Sequence, residues 1–138
     1  MKMYEEFAKY LAQLLGGSNA VRITVPGYLS VSVEEIGMSE NGTRLVSLCH
    51  YREQNGDLMR DPDMVFLLYD LPDSAAAEPI SFRNDYLGME ACESHGAGSR
   101  THAFPHRKLD LADLAQTWFV TLHEQGFFEP TAQRDILT

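Results

Sequence analysis

The chain has 138 residues, of which 44% are hydrophobic and 22% are charged. A chain of this size and composition can bury a core without disulfide bonds or a structural metal, so we expect one domain over residues 1–138 and no cofactor. The 20 acidic and 11 basic residues give a formal net charge of -9, which opposes direct binding to nucleic acid or to an anionic membrane but not to a protein.

The cysteines and the N-terminus indicate the compartment. Cys49 and Cys92 are far apart and form no Cys-x-x-Cys pair, so we interpret both as reduced thiols. The N-terminus is acidic where a signal peptide needs a basic start. The longest apolar run, residues 64–69, is far shorter than the about 20 residues that cross a membrane. We therefore expect a cytoplasmic protein with no membrane segment.

The first third of the chain changes from a helical to a strand pattern. Hydrophobic residues recur at helical spacing over residues 3–14 and a glycine pair follows at 16–17, which predicts an amphipathic helix with a glycine stop. Alternation over residues 20–25 predicts a strand that ends at a Pro-Gly turn. A second strand is predicted from residue 29, with a bulge near Glu34 because the alternation changes parity there.

Two Asn-Gly pairs in the middle of the chain predict tight hairpin turns, at residues 41–42 and 55–56. A third strand is placed between them, over residues 43–52. A fourth strand is placed over residues 63–70, where hydrophobic residues occupy both parities. This last pattern is typical of a central strand that is covered on both faces.

The next segment is less regular. Residues 71–78 combine proline, aspartate and alanines, which favours a surface connection. Ile80, Phe82 and Tyr86 indicate a fifth strand, and residues 93–108 read as a long glycine-containing loop.

The last helix is predicted to begin at an N-cap, Asp110, and to end at Gly126. Its apolar stripe consists of Leu111, Leu114, Ala115, Trp118 and Leu122. The tail after residue 130 is expected to be peripheral. The predicted fold is therefore α+β, with an antiparallel sheet of four to five strands flanked by an N-terminal and a C-terminal helix, and with Val65, Phe66, Leu67 and Trp118 in the core.

The densest polar region, residues 50–63, is the first candidate site. Its acids, which are Glu53, Asp57, Asp61 and Asp63, could meet around a divalent cation if the hairpin folds back on itself. Their spacing matches no calcium loop, and Arg52 and Arg60 can neutralise them, so a solvated, salt-bridged hairpin is the favoured interpretation.

His50 shares its strand parity with Val46 and Leu48, so its side chain is expected on a buried face. We interpret it as a hydrogen-bonded core histidine rather than a general base. Cys49 is its neighbour in sequence but points to the opposite face of the strand. The two residues therefore do not form a thiolate–imidazole pair.

A second candidate site is a loop with four potential zinc ligands, which are Cys92, His95, His102 and His106. Their spacing belongs to no known zinc motif, so a polar loop without metal is favoured. The sequence also contains no glycine-rich phosphate loop, no Gly-x-Ser-x-Gly elbow and no His-Glu-x-x-His motif. The usual sequence support for catalysis is missing, so we favour a protein without catalytic activity.

The string HYREQNGDLMRDPDMVF, at residues 50–66, resembles a signature of small uncharacterised bacterial proteins that are associated with plasmids and integrative conjugative elements. In that family a His-Tyr pair leads into Glu-Gln-Asn-Gly-Asp and then into Asp-Pro before an apolar strand. The resemblance covers about an eighth of the chain. It implies a bacterial mobile-element context and no particular activity.

Three functions stay open at this point. The first is a noncatalytic binding module that contacts a protein partner through His50, Glu53, Gln54, Asn55, Asp57, Arg60 and Asp61. The second is a metal-dependent, hydrolase-like enzyme that uses the acidic hairpin or the loop of Cys92, His95, His102 and His106. The third is an acidic mimic of DNA, which is disfavoured because the acids are dispersed along the chain.

Overall fold

The computed structural model describes the backbone over residues 2–54, 57–84, 89–92 and 105–137, and the side chains over residues 2–50, 62–83 and 111–137. These residues form two helices and seven strands. In chain order they are α1 (Lys2–Leu15), β1 (Ala20–Thr24), β2 (Val31–Met38), β3 (Arg44–Gln54), β4 (Asp57–Asp70), β5 (Ala75–Asn84), β6 (Met89–Cys92), α2 (Pro105–Gln125) and β7 (Gln133–Ile136).

All the strand pairs are antiparallel, and the order across the sheet is β6-β5-β4-β3-β2-β1-β7. The prediction of an α+β fold with an antiparallel sheet, preceded by an N-terminal helix and followed by a C-terminal helix, is confirmed, but the predicted strand count of four to five is too low. The additional strands, β6 and β7, are only four residues long each. Such short strands leave little alternation to read in a sequence.

Both helices pack on one face of the sheet. Strand register aligns Val33, Leu48 and Met64 across β2, β3 and β4, so every second residue of these strands lies on the same face. These residues and the apolar stripes of α1 and α2 form one buried cluster. At its centre Phe7 of α1 and Phe119 of α2 have ring centroids 5.4 Å apart. The core is therefore a single layer between the sheet and the two helices.

Helix α1 ends as the sequence predicts. Gly16 and Gly17 adopt positive φ angles of 60° and 89°, which only glycine adopts at little cost. Arg134 of β7 donates from Nη2 to the carbonyl oxygens of Gln13 and Leu14. The last carbonyls of a helix have no partner within it, so a strand distant in sequence completes this helix terminus.

The predicted bulge in β2 and the predicted turn between β2 and β3 are confirmed. The register between β2 and β3 shifts between Glu35 and Gly37, close to the expected bulge. Gly42 has a φ of 80°, and the turn that contains it is closed by hydrogen bonds between Ser39 and Thr43. The second predicted turn, at residues 55–56, lies outside the described residues.

The segment at residues 71–78 corrects the prediction of a surface connection. Only its first half is a turn, because β5 begins at Ala75. Ala76, Ala77 and Glu78 are buried, and Ala77 belongs to the core under the helices. Alanine is a poor strand former in isolation, but its small side chain lets a helix pack directly on the sheet. Tertiary packing therefore overrides the local propensity.

The start of α2 is also a correction, because the helix begins at Pro105 and includes residues 105–108, which the sequence predicts as part of a loop. Proline is favoured in the first turn of a helix, and Asp110 therefore lies within the helix rather than capping it. The buried residues of α2 are Leu111, Ala112, Ala115, Phe119 and Leu122. Leu114 is exposed and Trp118 only partly buried, so the apolar stripe is rotated toward Phe119 relative to the prediction.

The predicted core of β4 is confirmed in part. Phe66 and Leu67 are buried on opposite faces of the sheet, which agrees with a central strand covered on both sides. Val65 is only partly buried. The tail after residue 130 is not merely peripheral, since β7 pairs with β1 from Val21 to Thr24.

Candidate functional site

The hairpin of β3 and β4 is longer than the strands beside it. On one side β2 pairs with β3 only as far as His50, and on the other β5 pairs with β4 only as far as Asp63. Residues 51–54 and 57–60 pair with each other, and no third strand pairs with them in the part of the chain that the structure describes. We call these two short segments the hairpin arm. Four strand residues span roughly 13 Å, so the arm reaches well past the paired sheet.

A bulge separates the arm from the sheet. The register between β3 and β4 shifts between Cys49 and Tyr51, so that His50 alone faces residues 61 and 62 of β4. A bulge bends a strand pair and increases its twist, and it therefore sets the direction in which the arm leaves the sheet.

His50 lies at this bulge and is 9% exposed. Its Nδ1 is 3.2 Å from the carbonyl oxygen of Ser30, and a carbonyl can only accept, so Nδ1 carries the proton. The ring centroid lies 5.5 Å from that of Trp118 and 6.0 Å from that of Phe127. The interpretation of His50 as a hydrogen-bonded core histidine is confirmed.

The opposite face of the sheet carries polar side chains at the same level. Cys49 has a buried side chain and pairs with Asp63 of β4 on one side and with Ser32 of β2 on the other. Ser47 donates from Oγ to Oδ1 of Asp63 over 2.8 Å. The expectation that Cys49 and His50 lie on opposite faces is therefore confirmed. The predicted thiol state of Cys92 lies outside the described side chains.

A further polar contact joins β4 to β5 at the other end of the sheet. The hydroxyl of Tyr69 donates to Oε1 of Glu78, which is itself buried, over 3.0 Å. Burial, and then the hydrogen bond and the charge of Glu78, raise the pKa of Tyr69 to about 12. Tyr69 therefore stays neutral up to a pH well above the ordinary tyrosine pKa of 10.0.

The binding residues predicted in the hairpin divide into two groups. Only the side chain of His50 is described, whereas residues 53, 54, 57, 60 and 61 are described by their backbone and residue 55 lies outside the described part. The register places Gln54 opposite Asp57 and Glu53 opposite Leu58. Glu53 and Asp57 therefore occupy positions of opposite parity, which does not favour a shared cation.

The predicted zinc ligands are described only in part. Cys92 ends β6 and His106 lies in the first turn of α2, whereas His95 and His102 lie outside the described residues. Among the residues that the structure does describe, no group of three or more His, Cys, Asp or Glu side chains could hold a metal ion.

Sequence reasoning missed the partners of the groups that it singled out. The acceptor for His50 is a backbone carbonyl twenty positions earlier, and the contact between Ser47 and Asp63 joins the neighbouring strands β3 and β4. Neither contact follows from alternation alone, because each depends on the register between strands. The aromatic rings at Trp118 and Phe127 are visible in the sequence, but their contact with His50 is not.

Within the described residues, no helix has the length and hydropathy needed to cross a membrane.

These features define an α+β protein with a helix-covered antiparallel sheet and a projecting two-stranded arm. The chain belongs to the family described as Domain of unknown function (DUF6908), whose family model matches residues 2–128. No curated protein matches the chain, and no solved structure does. The match agrees with the expected membership of an uncharacterised family, while the motif and the mobile-element context stay predictions.

Proposed function

We propose that this protein is a noncatalytic binding module that contacts a protein partner through the hairpin arm. The observation that carries the proposal is the length of the β3–β4 hairpin, which continues past its last pairing with β2 at His50 and with β5 at Asp63. A segment that extends beyond its own sheet contributes little to the core. A role in recognition accounts for such a segment.

The backbone of the arm supports a protein partner in particular. In the part of the chain that the structure describes, the arm has no third strand beside it, and two strands alone are only marginally stable in water. Their outer edges carry backbone groups that a further strand can pair with. Partners often bind such edges by adding a strand, and side chains at alternate positions then give specificity.

The charge of the chain supports the same class of partner. A net charge of -9 opposes contact with the phosphates of nucleic acid, whereas a protein surface with basic residues would be attracted. The arm lies within residues 50–66, the segment that resembles the signature of the mobile-element family. We therefore propose a bacterial mobile-element origin, which the neighbouring genes would test.

The experiment compares two triple variants in affinity capture from the native host. The first variant, Glu53→Ala, Gln54→Ala and Arg60→Ala, changes the arm. The second, Arg22→Ala, Gln116→Ala and Glu124→Ala, removes the same residue types from exposed positions on β1 and α2. We expect the arm variant to lose a protein that the parent and the control variant both retain.

Any protein lost in this way must then be purified and tested for direct binding to the parent. A single hot-spot residue at an interface contributes about 2 kcal/mol or more. The arm variant should therefore weaken this binding by roughly tenfold or more. If the arm variant retains every partner that the parent captures, the hairpin arm is not the binding surface.

A further inference from the structure

We infer that His50 is a positioning residue that fixes the direction of the hairpin arm, so that the sequence motif around it serves to support the binding surface as well as to form it. This inference rests on the proposed function, because it assigns a purpose to the orientation of the arm. It concerns a residue that was first predicted to contact a partner directly.

The position of His50 in the sheet supports this role. It is the last residue of β3 that pairs with β2, and it is the single residue of β3 within the bulge. Every change in the backbone at this point is transmitted to the whole arm, because the arm has no third strand beside it among the described residues.

The contacts of His50 fix its ring from two directions. The hydrogen bond from Nδ1 to Ser30 joins β3 to the segment that precedes β2. The rings of Trp118 and Phe127 hold the imidazole from α2 and from the turn that follows it. A ring that is 9% exposed and held in this way cannot contribute much area to an interface, but it can hold the backbone at the bulge.

The molecule contains a matched control for this residue. His123 of α2 also places Nδ1 near a backbone carbonyl, that of Phe119, at 2.9 Å. Its ring stacks on that of Phe128 with centroids 3.8 Å apart. It thus has the same kind of hydrogen bond and ring contact as His50, but it is exposed and lies in a helix and not in the hairpin.

The test is hydrogen–deuterium exchange of backbone amides in variants at these two positions. His50→Phe keeps a ring and removes the donor, whereas His50→Asn places an amide nitrogen near the position of Nδ1 and keeps the donor. We expect exchange in residues 51–60 to be about five- to tenfold faster in His50→Phe, which is the effect of losing one hydrogen bond. His50→Asn should restore slow exchange in the arm, and His123→Phe should leave it unchanged.

Several results would overturn the inference. They are unchanged exchange in the arm of His50→Phe, equal acceleration throughout the sheet, and behaviour of His50→Asn like that of His50→Phe. If His50→Phe does not fold, His50→Leu provides the donorless comparison, and unfolding of both variants would show that His50 supports the core instead. The exchange measurement needs no partner, so its failure is distinct from the failure of the capture experiment.

Discussion

Strands β3 and β4 each have two halves with different surroundings. The inner halves, residues 44–50 and 62–70, lie between β2 and β5, and their helix-facing side chains are buried in the core. The outer halves, which form the hairpin arm, pair only with each other in the described part of the chain. The same two strands therefore serve as the centre of the sheet at one end and as a projection at the other.

Under the proposed function, this difference separates stability from recognition along one pair of strands. Buried apolar area is the main source of stability, so changes under the inner halves should cost the most free energy. Changes in the arm should cost less stability and should act mainly on binding. The following predictions test this division, from the largest expected effect to the smallest.

The largest effect is expected at Phe119, which lies under the inner halves. Its ring contacts those of Phe7, Tyr10 and Phe66 at centroid distances between 5.1 and 5.9 Å. Phe119→Ala should lower the free energy of unfolding by about 3 to 5 kcal/mol, because it removes buried area and leaves a cavity. Urea denaturation followed by circular dichroism would measure the loss.

Trp118 provides the comparison for Phe119, since it is the adjacent residue and is only partly buried. The sequence alone predicted Trp118 as the core residue of this helix. Trp118→Ala should therefore cost clearly less than Phe119→Ala. An equal or larger loss at Trp118 would restore the predicted stripe and contradict the packing of α2.

The sequence predicts Trp118 in the core, whereas the structure buries Phe119 there. This difference shows how much of the fold can be predicted from the sequence. Helical and alternating patterns predicted α1, β1, the bulge in β2 and the first Asn-Gly turn, because each of these depends on residues close in sequence. They failed at Ala75–Glu78 and at the start of α2, where packing against distant residues decides the structure. Strand β7 was missed because its four residues are all exposed and show no alternation in burial.

The candidate site follows the same rule. The parity of the strand predicted that His50 is buried and that Cys49 lies on the other face. The bulge at His50 could not be predicted, because it is a property of the register between β3 and β4 and not of either strand. The extension of the arm likewise depends on where β2 and β5 cease to pair.

A moderate effect is expected at the tip of the arm. Gln54 pairs with Asp57, so two residues, Asn55 and Gly56, connect the strands. If they form the predicted tight turn, Gly56→Val should destabilise the protein by about 1 kcal/mol or more, because a β-branched residue resists positive φ. Gly42→Val, at a turn with a φ of 80°, is the matched control. A loss at Gly42 without any loss at Gly56 would argue against a tight turn in the arm.

A similar but smaller effect is expected far from the arm, at Arg134. Arg134→Met keeps much of the side-chain length but removes the donor to the carbonyls of Gln13 and Leu14. Because the side chain is largely exposed, the loss should be about 1 kcal/mol. Arg22→Met, at an exposed position on the neighbouring strand, should change the unfolding free energy by less than about 0.5 kcal/mol. Equal effects of the two substitutions would mean that Arg134 acts only through its charge.

The smallest effect at neutral pH is expected at Tyr69, at the end of the inner half of β4, and its dependence on pH appears only at high pH. The folded pKa of Tyr69 is raised to about 12, above its ordinary value of 10.0. The stability that neutral Tyr69 contributes is therefore complete below about pH 10 and is lost as the pH rises through about 12. Tyr69→Phe cannot ionise, so its free energy of unfolding should fall less steeply with pH in this window.

Urea denaturation below, within and near the top of this window would measure the two slopes. Tyr28→Phe is the control, because Tyr28 is 49% exposed and should keep the slope of the parent. At neutral pH Tyr69→Phe should cost about 1 kcal/mol or less, which is the net value of one hydrogen bond to a carboxylate at a partly exposed position. If Tyr69→Phe and the parent lose stability equally between pH 10 and pH 12, the contact with Glu78 does not hold Tyr69 neutral in solution. In that case the inner end of β4 would resemble the arm more closely than the core.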